Sequence, residues 1–288
     1  MQGIARPLLA WYARHGRDLP WRRTRNPYAI WVSEVMLQQT PVARVLPAYE
    51  SWLRRWPDPA ALAAEAPGEA VRMWGKLGYP RRALRLHECA VAITRHHGGE
   101  VPDDVDALLA LPGIGAYTAR AVASFAYRQR HPVVDTNVRR VVARAVLGQG
   151  EPGPPSTSRD LAEVEALLPG DAETAARFAV AVMELGALVC TARAPRCGQC
   201  PVSDRCAWLA AGAPAYTGPR ARPQKFTGTD RQVRGLLMDV LRAASQPVTK
   251  PALDLVWADP VQRERALDSL VADGLVDPLP DGRYALPA

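Results

Sequence analysis

Cys190, Cys197, Cys200 and Cys206 follow the spacing C-x6-C-x2-C-x5-C within seventeen residues. Structural zinc sites more often pair two C-x2-C knuckles across a longer loop, whereas four closely strung thiolates suit a single cubane, so a [4Fe–4S] cluster is expected. Cys89 lies far away on a helical face and reads as a buried structural thiol. A second candidate is Leu111-Pro112-Gly113-Ile114-Gly115-Ala116-Tyr117-Thr118. Gly113 and Gly115 interrupt a helical pattern, so the chain is expected to turn there with positive φ and bring bare N–H groups close to another molecule. A helix expected from Tyr117 to Tyr127 would then offer its N-terminus as a phosphate seat. A tight helix-helix turn with no ligand explains the glycines equally well. Asp135, eighteen residues beyond Tyr117, lies in Val-Val-Asp-Thr-Asn-Val-Arg-Arg.

The elements that must position these residues are almost all helical. Ile4 to His15 reads as a first helix with Leu8 and Trp11 on one face, ending before a Pro20-Trp21-Arg22 turn. From Tyr28 to Val122 helical periodicity recurs with breaks at Pro41, Pro57, Pro67, Gly78-Tyr79-Pro80, Gly98-Gly99 and Pro112, and no alternating strand appears. A second set runs over Thr136 to Val146, Ser158 to Leu168 and Ala172 to Val189, into the cysteines. The first helix is expected to pack with this set, making that lobe discontinuous in sequence. Beyond a Pro- and Gly-rich stretch, Arg231 to Ala244, Lys250 to Trp257 and Pro260 to Gly274 read as helices, the last with Ala266, Leu267, Leu270 and Val271 inward. A hairpin turning at Asp281-Gly282 closes the chain. Three helices and a hairpin suggest a winged-helix-like module, a type that contacts DNA in some proteins and other proteins elsewhere.

The 288 residues suit about two domains. Lys and Arg outnumber Asp and Glu by 36 to 29, a formal charge of +7 that suggests a polyanionic partner. No apolar run approaches a membrane span and no signal-peptide pattern opens the chain, so a cytoplasmic location without membrane contact is expected. In that reducing setting the five cysteines read as ligands or free thiols rather than disulfides.

Leu-Pro-Gly-x-Gly, the aspartate in Val-Asp-x-Asn-Val, and the four-cysteine loop together resemble the helix-hairpin-helix DNA glycosylases related to endonuclease III, over roughly residues 1 to 212. Within that superfamily, Pro20-Trp21-Arg22, Asn26-Pro27-Tyr28, Trp31-Val32-Ser33-Glu34-Val35-Met36-Leu37-Gln38-Gln39-Thr40 and Leu77-Gly78-Tyr79 resemble the adenine-specific MutY family. The resemblance implies a mainly α, two-lobed helix-hairpin-helix glycosylase fold with a [4Fe–4S] loop. Over the span it covers, the expected division is a six-helix lobe over 23–129 and a cluster lobe over 1–22 and 130–212; beyond it, the residue pattern gives a linker over 213–228 and the winged-helix-like α+β module over 229–288. It further implies removal of adenine mispaired with 8-oxoguanine or guanine in double-stranded DNA, by a monomer, with Glu34 and Asp135 catalytic. By the same resemblance Gln39 and Tyr79 are wedge and intercalating residues, Thr40 approaches the opposite base, Trp21, Arg22 and Leu37 line the adenine pocket, and Asn137 supports Asp135.

The chemistry can be argued from the residues as well. Adenine is a poor leaving group from deoxyribose, so the base must be protonated and the oxocarbenium-like sugar stabilised. Glu34, among apolar Trp31, Val35 and Leu37, is expected to favour the protonated form of a general acid, and Asp135 to stay ionised against the sugar. By residue type alone Glu34 could be an ordinary helix carboxylate and Asp135 an N-cap for the helix starting at Thr136. Relatives that also cleave the strand carry a nucleophilic lysine where this chain has Tyr117, and no lysine occurs from Leu77 through Gln224, so a monofunctional enzyme is expected. Base hydrolysis needs no redox step. The cluster loop is instead expected to be structural or to present Arg193 and Arg196 to phosphates.

Two positions and the C-terminal stretch depart from the family pattern. Thr136 stands where glycine usually follows the aspartate, and Val180 where relatives often carry Gln or Glu near adenine. The last sixty-odd residues are too few and too helical for the Nudix-like domain that reads 8-oxoguanine in many relatives. The rival readings are a pyrimidine-lesion glycosylase with lyase activity, which Tyr117 disfavours, and a nonenzymatic iron–sulfur regulator, which leaves the two carboxylates unexplained.

Overall fold

The computed structural model describes residues 3–218 and 225–288, so 219–224 of the expected linker lie outside the described residues. In chain order, α1 (Ala5–His15), α2 (Pro20–Arg23), α3 (Pro27–Leu37), α4 (Val42–Arg55), α5 (Pro59–Ala63) and α6 (Pro67–Trp74) lead to a 3₁₀ turn at Gly75–Leu77. There follow α7 (Arg81–His96), α8 (Val105–Leu109), α9 (Ala116–Phe125), α10 (Thr136–Ala145), α11 (Thr157–Glu165) and α12 (Ala172–Leu188). Two 3₁₀ turns, Cys197–Gln199 and Ser203–Arg205, precede α13 (Ala207–Ala210). The last elements are α14 (Asp230–Ala243), β1 (Val248–Thr249), α15 (Lys250–Asp254), α16 (Pro260–Ala272), β2 (Asp277–Pro278) and β3 (Arg283–Ala285). Aspartates start several helices: Asp58, Asp171 and Asp259 accept N–H bonds from the first turns of α5, α12 and α16.

The chain forms two compact units. The first comprises Met1–Trp31, Asp103–Leu109 and Ile114–Arg220, and the second Val32–Pro102, Ala110–Gly113 and Ala221–Ala288. The units therefore part near Trp31 and at the hairpin, whereas the motif reading drew lobes at 22/23 and 129/130. The physical reason is that α9 packs with α8 and α12.

In the first unit, Phe178, Val182 and Leu185 on α12 meet Val138 and Val142 on α10, and Leu8 and Trp11 on α1 close the cluster. The first helix thus packs with the second helical set, as expected. Pro20–Arg23 is a helical turn with proline in its first turn, where the missing N–H is not needed. Behind it the fully buried Glu184 accepts from the backbone N–H and Nε of Arg17 (both 2.8 Å), from Arg17 Nη2 (2.7 Å) and from Arg22 Nη2 (2.8 Å).

The second unit is built on tryptophans: Trp52 meets Trp56 and Trp74 edge-on at centroid separations of 4.7 and 5.9 Å. Residues 229–288 have the expected helical order, with a three-stranded sheet in the order β1-β3-β2. Short β1 escaped the sequence reading because two residues carry no periodicity. Ala266, Leu267 and Leu270 point inward as expected, while Val271 is only half-buried. The module lies on α6. Arg72 donates to the carbonyls of Arg242 and Ala244 at the end of α14, Arg242 Nε returns a 3.1 Å bond to Val71 O, and Gly68 N–H donates to Pro287 O at 2.8 Å. A Cβ on Gly68 would sit 2.4 Å from that oxygen, so only glycine fits. The module has nine acidic residues against seven basic ones, which weighs against a phosphate-binding face.

Burial would raise the pKa of Glu184, but the hydrogen bonds from Arg17 and Arg22 outweigh it and hold the carboxyl at about 2, below the ordinary 4.5. A depressed folded pKa stabilises the fold above the unfolded value, and that contribution is lost as pH falls from about 4.5 toward 2. Glu184→Gln should therefore cost about 3–5 kcal/mol at neutral pH, since it leaves two arginines facing an uncharged amide. Denaturant melts of both proteins at pH 7 and pH 3 check this: the gap should narrow at pH 3, and a constant gap would show that the charge is not what matters.

Candidate active site

Asp135 caps α10. Its Oδ1 accepts from Val138 N–H at 2.7 Å, and its Oδ2 accepts from Asn137 Nδ2 at 2.8 Å. The N-cap reading of Asp135 is thus correct, and it does not compete with chemistry: donors that start the helix also hold the carboxylate. Burial pushes the pKa of Asp135 above its ordinary value, and these bonds and the nearby Arg140 charge offset part of that rise. Thr136 tolerates the helix start without glycine.

Asn137 is held in turn. Arg140 Nη2 donates to Asn137 Oδ1 and to Gly186 O, both at 2.7 Å, and Arg140 Nε donates to Cys190 O at 2.7 Å. A Cβ on Gly186 would meet Asn137 Cβ at 2.7 Å, so α12 can approach α10 this closely only at a glycine. Arg144, one turn further along α10, donates to Thr191 O at 2.7 Å and Ala192 O at 3.1 Å and lies 3.7 Å from Cys190 Sγ. A continuous chain of hydrogen bonds therefore runs from the carboxylate of Asp135 to the first cysteine. The sequence reading had Asn137 but missed Arg140, whose position one helical turn beyond Asn137 was the available signal.

The four cysteines line one pocket with Arg144, Leu185, Val189 and Trp208. Among the described residues no His, Cys, Asp or Glu group closes tightly enough for a single metal ion. The donor set is four thiols with no imidazole or carboxylate among the lining residues, which is the chemistry an iron–sulfur cubane takes. Burial pushes the Cys190 thiol up and that of Cys200 to about 11, so these sulfurs need bound cations to become thiolates. Arg193 and Arg196 on the same loop are exposed. Cys89 is fully buried, and burial raises its thiol far out of the reactive range, in keeping with a structural role.

At the hairpin, Gly113 has φ +75°, and a Cβ there would meet Arg85 Cβ at 2.9 Å. Gly115 corrects the expectation: its φ is −100°, extended backbone that any residue adopts, because it is the N-cap of α9. It lends no side-chain cap to the first turn and has open space at its Cβ position. Tyr117 is partly buried against Ala121, Val133 and Ala179.

In the second unit, Glu34 is buried in α3 beside buried Val35, and Leu37 is half-buried at the helix end. In the first, Trp21 is buried, and Arg22, expected at the adenine pocket, has its guanidinium engaged by Glu184 and by Arg17 O at 3.1 Å. Gln39 and Tyr79 are exposed residues with φ of +54° and +49°. Thr40, expected to approach the opposite base, is buried with its hydroxyl donating to Leu77 O at 3.1 Å and accepting from Arg82 Nη2 at 3.0 Å.

Known proteins place this arrangement. Residues 32–166 match the HhH-GPD superfamily base excision DNA repair proteins, and residues 190–206 match the iron-sulfur binding domain of endonuclease III. The fold resembles a thermostable thymine-DNA glycosylase (TM-score 0.67, 29% identity, 72% of this chain and 95% of that one). It also resembles endonuclease III trapped covalently on DNA (TM-score 0.62, 23% identity, 72% of this chain and 94% of that one). The protein is accordingly an iron–sulfur DNA glycosylase of base excision repair that binds DNA and carries a [4Fe–4S] cluster, and the matched span 190–206 contains all four cysteines. Over 282 residues it is 63% identical to an adenine DNA glycosylase of Mycobacterium tuberculosis, covering 97% of this chain and 92% of that protein. The chain belongs to the adenine DNA glycosylases. No helix among the described residues is long and apolar enough to cross a membrane.

Cys200→Ser should lower bound iron from about four atoms per chain to below one and lower the melting temperature. Iron analysis of protein purified without oxygen checks this, and full iron content in the variant would mean that the cluster is held elsewhere.

Proposed function

We propose that this protein hydrolyses the N-glycosidic bond of adenine mispaired with 8-oxoguanine or guanine in double-stranded DNA and leaves an abasic site. It acts as a monomer, inside the cell where that DNA lies. The observation that carries the reading is the half-buried carboxylate of Asp135, which is supplied with donors for its charged form: Val138 N–H and Asn137 Nδ2. An anion fixed in that way can stabilise positive charge developing on a deoxyribose without reorganising.

Glu34 is the general acid. It is a buried carboxyl in an apolar helix, and it protonates the extruded adenine so that the base leaves neutral. Water then attacks C1′ of the sugar, on which Asp135 has stabilised the cation, and its proton returns to the carboxylate that Glu34 became on protonating the base. Tyr117 offers no amine, and no lysine lies between Lys76 and Lys225, so neither a Schiff base nor strand scission follows. Extrusion breaks stacking and pairing, and the gap must be filled. Exposed Gln39 and Tyr79 enter it, while Trp21 and Leu37 contribute to the adenine pocket. The first-turn N–H groups of α9, beyond Gly113 and Gly115, receive a phosphate, and Arg193 and Arg196 meet others. When bound, the cluster supplies the fixed frame of the 190–206 loop.

Purified protein given a duplex with adenine opposite 8-oxoguanine should yield strand breaks only after alkali, and borohydride should trap no covalent complex. Glu34→Gln should lower single-turnover excision at least a hundredfold with duplex affinity changed less than threefold. Breaks without alkali would sink the monofunctional assignment, and undiminished excision by Glu34→Gln would remove the acid.

A further inference from the structure

Gln39 and Tyr79 are forty residues apart in sequence, each at a turn and each with a left-handed backbone that a side-chain-bearing residue adopts only under constraint. Much of that constraint converges on one side chain. Arg82 is buried, and its Nη1 donates to Val35 O (2.9 Å), Met36 O (3.3 Å) and Gln38 O (2.5 Å), carbonyls at the C-terminal end of α3 that have no helical partner. Its Nη2 donates to Gly78 O (3.0 Å), Leu77 O (3.4 Å) and Thr40 Oγ1 (3.0 Å), and Thr40 passes its own proton to Leu77 O. The guanidinium also lies 5.1 Å from the Trp74 ring centroid and 5.5 Å from that of Tyr79. One planar group thus holds both turns, and no carboxylate among the described residues pairs with it. Burial lowers its pKa to about 10, leaving it charged at neutral pH.

A buried arginine without a counter-ion is costly, and it is compensated here by carbonyl dipoles, one hydroxyl and two ring faces. For packing alone an apolar side chain would serve better. We propose that Arg82 is a positioning residue that locks the Gln39 turn to the Tyr79 turn, so that the two side chains enter the duplex together and hold the target base out. The inference rests on the reading of Gln39 and Tyr79 as the gap-filling pair. Lysine, with a compact ammonium in place of a five-donor fork, cannot reach both sets of carbonyls at once.

The test is single-turnover adenine release by the full chain and its Arg82→Lys variant on two duplexes. In one, adenine is opposite guanine; in the other it is opposite a tetrahydrofuran abasic analogue, where no pair must be broken. The variant should lose at least tenfold on the mispair and less than threefold on the unpaired adenine, and should show a smaller fluorescence rise when 2-aminopurine replaces adenine. Should the lysine variant fail to fold, Thr40→Val, which removes only the hydroxyl between Arg82 and Leu77, should give the same contrast. Equal losses on both duplexes, with wild-type release intact, would overturn the role of Arg82 alone. No adenine release by the wild type would overturn the reading of the site and this inference with it.

Discussion

The chain of hydrogen bonds Asp135, Asn137, Arg140, Cys190 is the constraint on which the first unit depends. A carboxylate buried for chemistry tends to protonate, and this one is countered by an amide donor that cannot rotate away, because its own oxygen is held by Arg140. Arg140 is fixed by two carbonyls, one on α12 and one at the start of the cysteine loop. The loop closes on a metal cluster, so metal binding and carboxylate orientation become linked through one helix, α10.

The same tactic of satisfying a buried charge locally recurs at two other places, with different outcomes. Glu184 meets two arginines and becomes a strongly acidic structural anion, which takes Arg22 out of the set of side chains free to meet a base. Arg82 meets only carbonyls and becomes a cation that joins two turns. Burial alone therefore does not mark a catalytic group. What sets Asp135 apart is that its donors are arranged for one protonation state with no opposing charge in direct contact.

Residues 229–288 make up a winged-helix-like module whose composition is acidic and whose contacts with α6 rely on backbone carbonyls and one obligatory glycine. Its basic side chains are largely engaged within the module, with Arg265 on Asp230, Arg263 on Asp254 and Arg234 on Asp273. These features favour packing over phosphate contact.

Much of this was legible in the sequence because it rests on local chemistry. Cysteine spacing, proline and glycine breaks and the amphipathic periodicity of α1, α10 and α12 give the fold class, and the motifs around Glu34 and Asp135 give the candidate site. What escaped depends on partners distant in sequence: Glu184 sits over 160 residues from its arginines, Arg82 over 40 from the carbonyls of α3, and β1 is too short to pattern. Gly115 misled because a motif glycine need not have positive φ, and the residue types of Thr40 and Arg22 could not announce their bonds to Leu77 and Glu184. The central claim, that donors on α10 keep Asp135 ionised for the reaction, is tested most directly by the pH dependence of single-turnover excision in wild type and Asn137→Ala. Losing a donor to the charged form raises the pKa of Asp135, so the acid limb, where activity falls as Asp135 protonates, should move to higher pH in the variant; a uniform loss of rate with the limb unmoved would contradict the account.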